Sequence, residues 1–172
     1  MTPYEPISYL ETNASRRPRG VAIWEGGREI DFAALLANVQ DLRKLMASRG
    51  VRAGDVVGVR LPNIWQYVAL EIAIPDIGAT ILPLPLSLGE HEVRWVMEKT
   101  HPRLVITDPP DVASAQSLPA VRRVGPDPDR IVEIALTSGT TGMPKLASLN
   151  ARLKQVTFEG FTDRLGITER DR

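Results

Sequence analysis

The stretch "GDVVGVRLPNIWQYVALEIAIPDIGATILPLPL", Gly54 to Leu86, decides the fold. Its first part is a mostly apolar strand ended by Pro62-Asn63. The next segment, 64–77, carries Trp65, Val68, Ala69, Ile72 and Ala73 on one helical face. Pro75 lacks a backbone donor and clashes with the preceding turn, so it should kink or shorten that helix. "ATILPLPLSL" is then a short buried strand running into a proline-rich turn. A helix between two apolar strands implies a crossover connection and parallel pairing.

The same grammar continues on both sides. Upstream, "VAIWEGGREIDF" reads as two short strands joined by Gly26-Gly27, which supply the positive φ angles of a tight hairpin. Asp31 is placed to cap a helix in which Leu35, Leu36, Val39, Leu42, Leu45 and Met46 recur at helical spacing, and Gly50 can end it. Downstream, Ser87 and Glu90 have the spacing of a capping box, and Val93, Val96 and Met97 give a buried face. "RLVITD" is the next strand. Prolines at 109, 110, 119, 126 and 128 mark a loop-rich stretch around one short strand expected near Val121 to Val124. "IVEIAL" is another strand, and a helix is expected from Asn150 to Leu165. The fold class is therefore α/β, with a largely parallel sheet flanked by helices.

Bulk properties agree with one globular domain. The chain has 172 residues and 43% hydrophobic composition, enough to bury a core of that size. Its 21 basic and 21 acidic residues cancel, so net charge favours neither nucleic acid nor an anionic membrane as partner. The absence of cysteine removes disulfides, thiolate metal sites and thiol catalysis, and fits a cytoplasmic protein. No apolar run suits a signal peptide or a membrane span, since Val68 to Leu88 is broken by Glu71, Asp76 and three prolines. His91, beside Glu90 and Glu92, reads as a solvated surface residue. Trp24, Trp65 and Trp95, scattered and without a basic patch, read as packing residues. No catalytic or metal-ligating set stands out.

One passage carries chemistry: "IALTSGTTGMPKLA", Ile134 to Ala147. A polyphosphate loop needs backbone N–H groups free to turn inward, small residues, hydroxyl donors and a cation on a long stem. Gly139 and Gly142 give the first two, Thr137, Ser138, Thr140 and Thr141 the third, and Lys145 the fourth, with Pro144 restricting the backbone beside it. A polar hairpin turn draws on the same residue types, and composition leaves both readings open. The Walker pattern fails, because the glycines are three apart and Leu146 follows the lysine. A dinucleotide fingerprint fails as well, since no G-x-G-x-x-G occurs.

The order "LTSGTTGMPK" closely resembles the phosphate-binding signature of the adenylate-forming superfamily, which includes acyl- and aryl-CoA synthetases, nonribosomal peptide synthetase adenylation domains and luciferases. The resemblance extends upstream through "REIDFAALLANVQDLRKLMASRGVRAGDVVGVRLPN" and "IGATILPLPLSLGEHEVRWVMEKTHPRLVIT", in the order in which that family carries its early segments.

The resemblance implies that residues 1–172 are the first part of the N-terminal, AMP-binding domain of such an enzyme. Its phosphate-binding loop would lie at 137–145, with the family's C-terminal domain absent. Such enzymes activate a carboxylic acid with magnesium-ATP, giving an acyl-adenylate and pyrophosphate, and many then pass the acyl group to a coenzyme A or carrier-protein thiol. By similarity, Thr137, Ser138, Thr140 and Thr141 would donate to the β- and γ-phosphates from side chain or backbone, Gly139 and Gly142 would permit approach, and Lys145 would balance leaving-group charge or steady the loop. The family's adenine, ribose, acyl and magnesium-associated segments have no counterpart here, so this chain alone is expected to be inactive. It could also act as a phosphate-binding or protein-interaction module, self-associating through an exposed sheet edge or apolar surface. The passage after the loop departs from the family: Asn150 and Ala151 stand where a hydroxyl residue and a histidine are usual.

Overall fold

The structure, a computed structural model, describes residues 4–137 and 143–168. Its elements are α1 (Pro6–Arg16), β1 (Val21–Glu25), β2 (Arg28–Asp31), α2 (Phe32–Ser48), β3 (Val56–Val59), α3 (Trp65–Asp76), β4 (Thr80–Pro83), α4 (Glu90–Thr100), β5 (Leu104–Ile106), β6 (Ile131–Thr137), β7 (Lys145–Asn150) and α5 (Ala151–Leu165). A single 3₁₀ turn, Ala113–Ala115, lies between β5 and β6.

The sheet has the order β5-β3-β4-β6-β7. Strands β5, β3, β4 and β6 run parallel, and β7 returns antiparallel to β6. Chain direction across the sheet explains where the helices sit. From β3 to β4 the chain moves one way, and from β4 to β5 it moves back past β3. Right-handed crossovers must then place α3 and α4 on opposite faces. The core divides accordingly: Val57, Val59, Ile81 and Ile106 pack with α1, α2 and α3 on one face. Leu82, Leu84 and Val96 pack on the other, with Ile134, Leu136 and Leu146 against them.

Local readings hold where short-range chemistry decides them. Gly26 and Gly27 take φ of 54° and 85° in the β1–β2 turn. The Asp31 carboxylate accepts from Ala34 N at 2.7 Å and caps α2, whose buried side is Leu35, Val39, Leu42 and Met46. Asn150 caps α5 in the same way, its Oδ1 accepting from Leu153 N at 2.9 Å.

Four expectations are corrected. Residues 121–124 form no strand: Arg123 bonds Asp76 and Val124 N donates to Asp76 O, so this stretch is tied to the end of α3 instead of joining a ladder. The α4 cap lies two residues later than the Ser87–Glu90 spacing suggests, with Gly89 N donating to Glu92 Oε2 at 2.8 Å. The inward side of α3 is Trp65, Ala69, Leu70, Ala73 and Ile74, whereas Val68 is exposed and Ile72 only half-buried. Apolar residues surround nearly the whole of this helix, so spacing alone could not pick its buried side. Trp24, read as a packing residue, is 65% exposed on β1. Helix α1 and strand β7 are elements the sequence reading did not resolve.

Buried charge fastens the long β5–β6 connection. Asp76 contacts Arg43 Nε at 2.9 Å and Arg123 Nε at 2.7 Å, and Arg123 reaches Glu11 of α1 at 3.0 Å. Arg43 Nη2 also donates to Val121 O at 2.6 Å. Three helices and the connection thereby share one network around a carboxylate that is itself buried.

Candidate functional site

The loop following β6 is held by a hairpin whose register is fixed on both flanks. Ile134 lies opposite Ser148, Ala135 opposite Ala147, Leu136 opposite Leu146 and Thr137 opposite Lys145. Ile134, Leu136 and Leu146 anchor one side of this ribbon against Leu82, Leu84 and Val96. Side chains alternate along a strand, so Glu133, Ala135 and Thr137 face the other way, and Lys145 shares that side with Thr137. Both Thr137 and Lys145 are exposed at the hairpin's mouth, while Pro144 beside them is buried. Lys145 makes no ion pair among the described residues.

Of the site residues read from sequence, the structure therefore brings Thr137 and Lys145 directly opposite one another. Ser138, Gly139, Thr140, Thr141 and Gly142 lie outside the described residues. Strands β6 and β7, paired up to Thr137 and Lys145, lead into and out of the stretch.

Sheet direction sets the surroundings. Because β3, β4, β5 and β6 are parallel, their C-terminal ends gather along one edge, with the segments 60–63, 84–89 and 107–108 and the end of β6 at Thr137. That edge is where open α/β sheets bind ligands. Arg60 braces it, with N bonded to Ile106 O at 2.8 Å and Nη2 donating to Leu88 O at 3.1 Å.

Lower on the same side of β6 lies a cluster of titratable groups that sequence reasoning missed. Lys154 of α5 bonds Glu133 and stands 5.6 Å over the Tyr4 ring, and Glu71 of α3 borders the same small cavity. Burial by itself would lower the Lys154 ammonium, but its hydrogen bond to Glu133 and the charges of Glu133, Tyr4 and Glu71 raise it instead. Glu71 is exposed as a residue, but the partial burial of its carboxyl beside this cavity raises its pKa, partly opposed by Lys154 and reinforced by Glu133. Tyr4 is raised by burial against the pull of Lys154. Tyr67 is pushed up to about 12 by burial, then by Glu71 and Glu133. Residues so far apart in sequence meet only through the sheet order. The one local signal was Glu133 itself, a charge inside the apolar run "IVEIAL".

Comparison with known proteins agrees with this architecture. Residues 10–125 match the family described as AMP-binding enzyme. The chain is 26% identical to an isonitrile lipopeptide synthase of Streptomyces coeruleorubidus over 99% of its own length and 13% of that protein's. It is also 26% identical to a 2-succinylbenzoate–CoA ligase of Geobacillus kaustophilus over 95% of its length and 36% of the ligase. Among solved structures, VinN superposes with a TM-score of 0.85 at 21% identity, covering 99% of this chain and 52% of VinN. The chain thus spans about half of that structure, and a smaller part of these two relatives. No described helix is long and apolar enough to cross a membrane. The family match over 116 of 172 residues means that this chain belongs to the AMP-binding enzyme family.

Proposed function

We propose that the loop 137–145 holds the pyrophosphate end of ATP, in a fold that activates a carboxylic acid as an acyl-adenylate. The observation that carries this reading is the pairing of Thr137 with Lys145 at the C-terminal edge of the parallel strands, where the ammonium has no competing ion pair among the described residues. ATP supplies the electrophilic α-phosphorus and the pyrophosphate leaving group. The chain's own contribution is binding and charge balance. The Thr137 hydroxyl donates to a phosphate oxygen, Lys145 neutralises charge on the leaving group, and Ser138, Gly139, Thr140, Thr141 and Gly142 complete the loop by sequence. In-line displacement at phosphorus depends mainly on such positioning and electrostatics. Magnesium would accompany the nucleotide, a coenzyme A or carrier-protein thiol would accept the acyl group, and the cytoplasm is where we place the protein.

For residues 1–172 alone we expect pyrophosphate binding without turnover, so carboxylate-dependent exchange of pyrophosphate into ATP should stay at background. The decisive measurement is calorimetric titration of this chain with inorganic pyrophosphate. Lys145→Ala, at an exposed position, should weaken binding about tenfold or more, as expected for loss of a charged hydrogen-bond donor. Equal affinity in the two proteins would refute the reading.

A second reading is favoured by α5, which exposes Leu153, Val156, Phe158, Phe161 and Leu165. Apolar surface concentrated on one element marks association with another chain, a second copy included. Sedimentation as a clean monomer at high concentration would count against it.

A further inference from the structure

The exposed Trp24 stands on a groove of about 400 Å³ between β1 and the first turns of α3, a volume within the usual range of small-molecule sites. Its walls include Ile23, Trp24, Trp65, Tyr67, Val68 and Glu71. It is separate from the β6–β7 loop and does not depend on the role proposed for that loop.

The polar groups at this groove differ in how they are engaged. The Glu25 carboxylate already accepts Trp65 N at 2.7 Å, and the Arg28 guanidinium already covers the Trp65 ring at 5.9 Å from its centroid. Glu71 makes no hydrogen bond or ion pair among the described residues, since Lys154, the cation that acts on it, is bonded to Glu133. Glu71, Glu133 and Lys154 together carry one net negative charge. Trp24 and Tyr67, which make no ring contact with another aromatic or a cation among the described residues, line the same groove as Glu71, whose carboxylate has no ion pair of its own there. Aromatic faces attract cations through their quadrupole, more strongly when water is partly excluded.

We propose that this groove binds a small organic cation of the arylalkylammonium class, with its apolar body against Trp24 and Tyr67 and its ammonium paired with Glu71. A neutral ligand of the same shape would gain the apolar contact but leave the carboxylate unpaired. An arylalkyl carboxylate would be repelled.

The test is calorimetric titration of the 172-residue chain with 2-phenylethylammonium, 2-phenylethanol and 3-phenylpropionate. Saturable binding of the ammonium in the millimolar range is expected, with the alcohol about fivefold weaker or more and the carboxylate not bound. Glu71→Gln should bring the ammonium down to the level of the alcohol, and Trp24→Ala should weaken both. Both positions are exposed, and unchanged far-ultraviolet circular dichroism confirms that each variant is folded. Equal affinity for ammonium and alcohol would reduce the groove to an apolar crevice and overturn the proposal. So would absence of ammonium binding, or Glu71→Gln and Trp24→Ala variants that both bind as the parent does.

Discussion

Helices α3 and α5 flank the same carboxylate, Glu133, one contributing Glu71 and the other Lys154, yet they are held in opposite ways. In α3, seven of twelve residues are buried, and Ala69, Leu70, Ala73 and Ile74 are fully so. In α5, only Ala151 and Gln155 of fifteen are buried, while Phe161 and Leu165 are 61% and 69% exposed. Helix α5 is the less apolar of the two, yet it still carries two phenylalanines, two leucines and a valine. What separates them further is cover. Helix α3 lies under α1 and α2 and against the sheet, so its side chains gain burial from several directions. Helix α5 is defined by its ends and a few polar ties: the Asn150 cap, the αL residue Gly166 after its last turn, Lys154 on Glu133, and Gln155 between Glu159 and Tyr9. A helix can thus be well specified in sequence and still contribute little packing to the domain.

The largest effect expected is at the buried end of α3. Asp76→Asn keeps the side-chain shape but leaves Arg43, only 8% exposed, without its carboxylate. Breaking a buried pair from one side costs about 3–5 kcal/mol, and the loss should extend to Arg123 and the connection it ties down. The urea midpoint measures the cost. A change under about 1 kcal/mol would mean that water reaches this network, and α3 would no longer contrast with α5.

The same truncation in both helices sharpens the comparison. Leu70→Ala removes a side chain with no exposure and should cost about 2–5 kcal/mol, combining lost transfer energy with a cavity. Leu165→Ala should change stability by no more than about 0.5 kcal/mol. If Leu165→Ala proved as costly as Leu70→Ala, α5 would be covered in solution by something outside the described residues, a second copy included. Concentration-dependent unfolding would then follow.

This contrast also marks what the sequence could reveal. Turns, strand runs and some helix starts depend on neighbours a few residues away, and these were legible: Gly26-Gly27, the Asp31 cap, the beginning of α5 near Asn150 and the alternation of β3, α3 and β4. The inward side of α3 was not, because almost every residue on it is apolar and only the positions of α1 and α2 choose among them. The β7 strand was hidden because its six residues become a strand only by pairing with β6. At the site, Thr137 and Lys145 could be named as candidates from sequence, but their opposition across two paired strands could not. The cluster of Glu71, Glu133, Lys154 and Tyr4 was invisible because it joins four separate segments.

The smallest effect is a spectroscopic one on the outward side of α3. Even there the environment is drier than along α5: the half-buried Tyr67 phenol is pushed up from 10.0 to about 12, first by burial and then by Glu71 and Glu133. A pKa raised in the folded state means that folding favours the neutral phenol. The associated stability is fully present below pH 10.0 and is lost as pH rises through about 12, leaving no effect at neutral pH. Absorbance at the phenolate band should therefore show a late-ionising component while circular dichroism still reports a folded chain, and Tyr67→Phe should remove it. Burial also raises Tyr4, so part of the late absorbance will survive in that variant. If Tyr67→Phe instead removed a component that ionises near 10, the outward side of α3 would be as wet as α5. Full burial of α3 would then stop at its inward side.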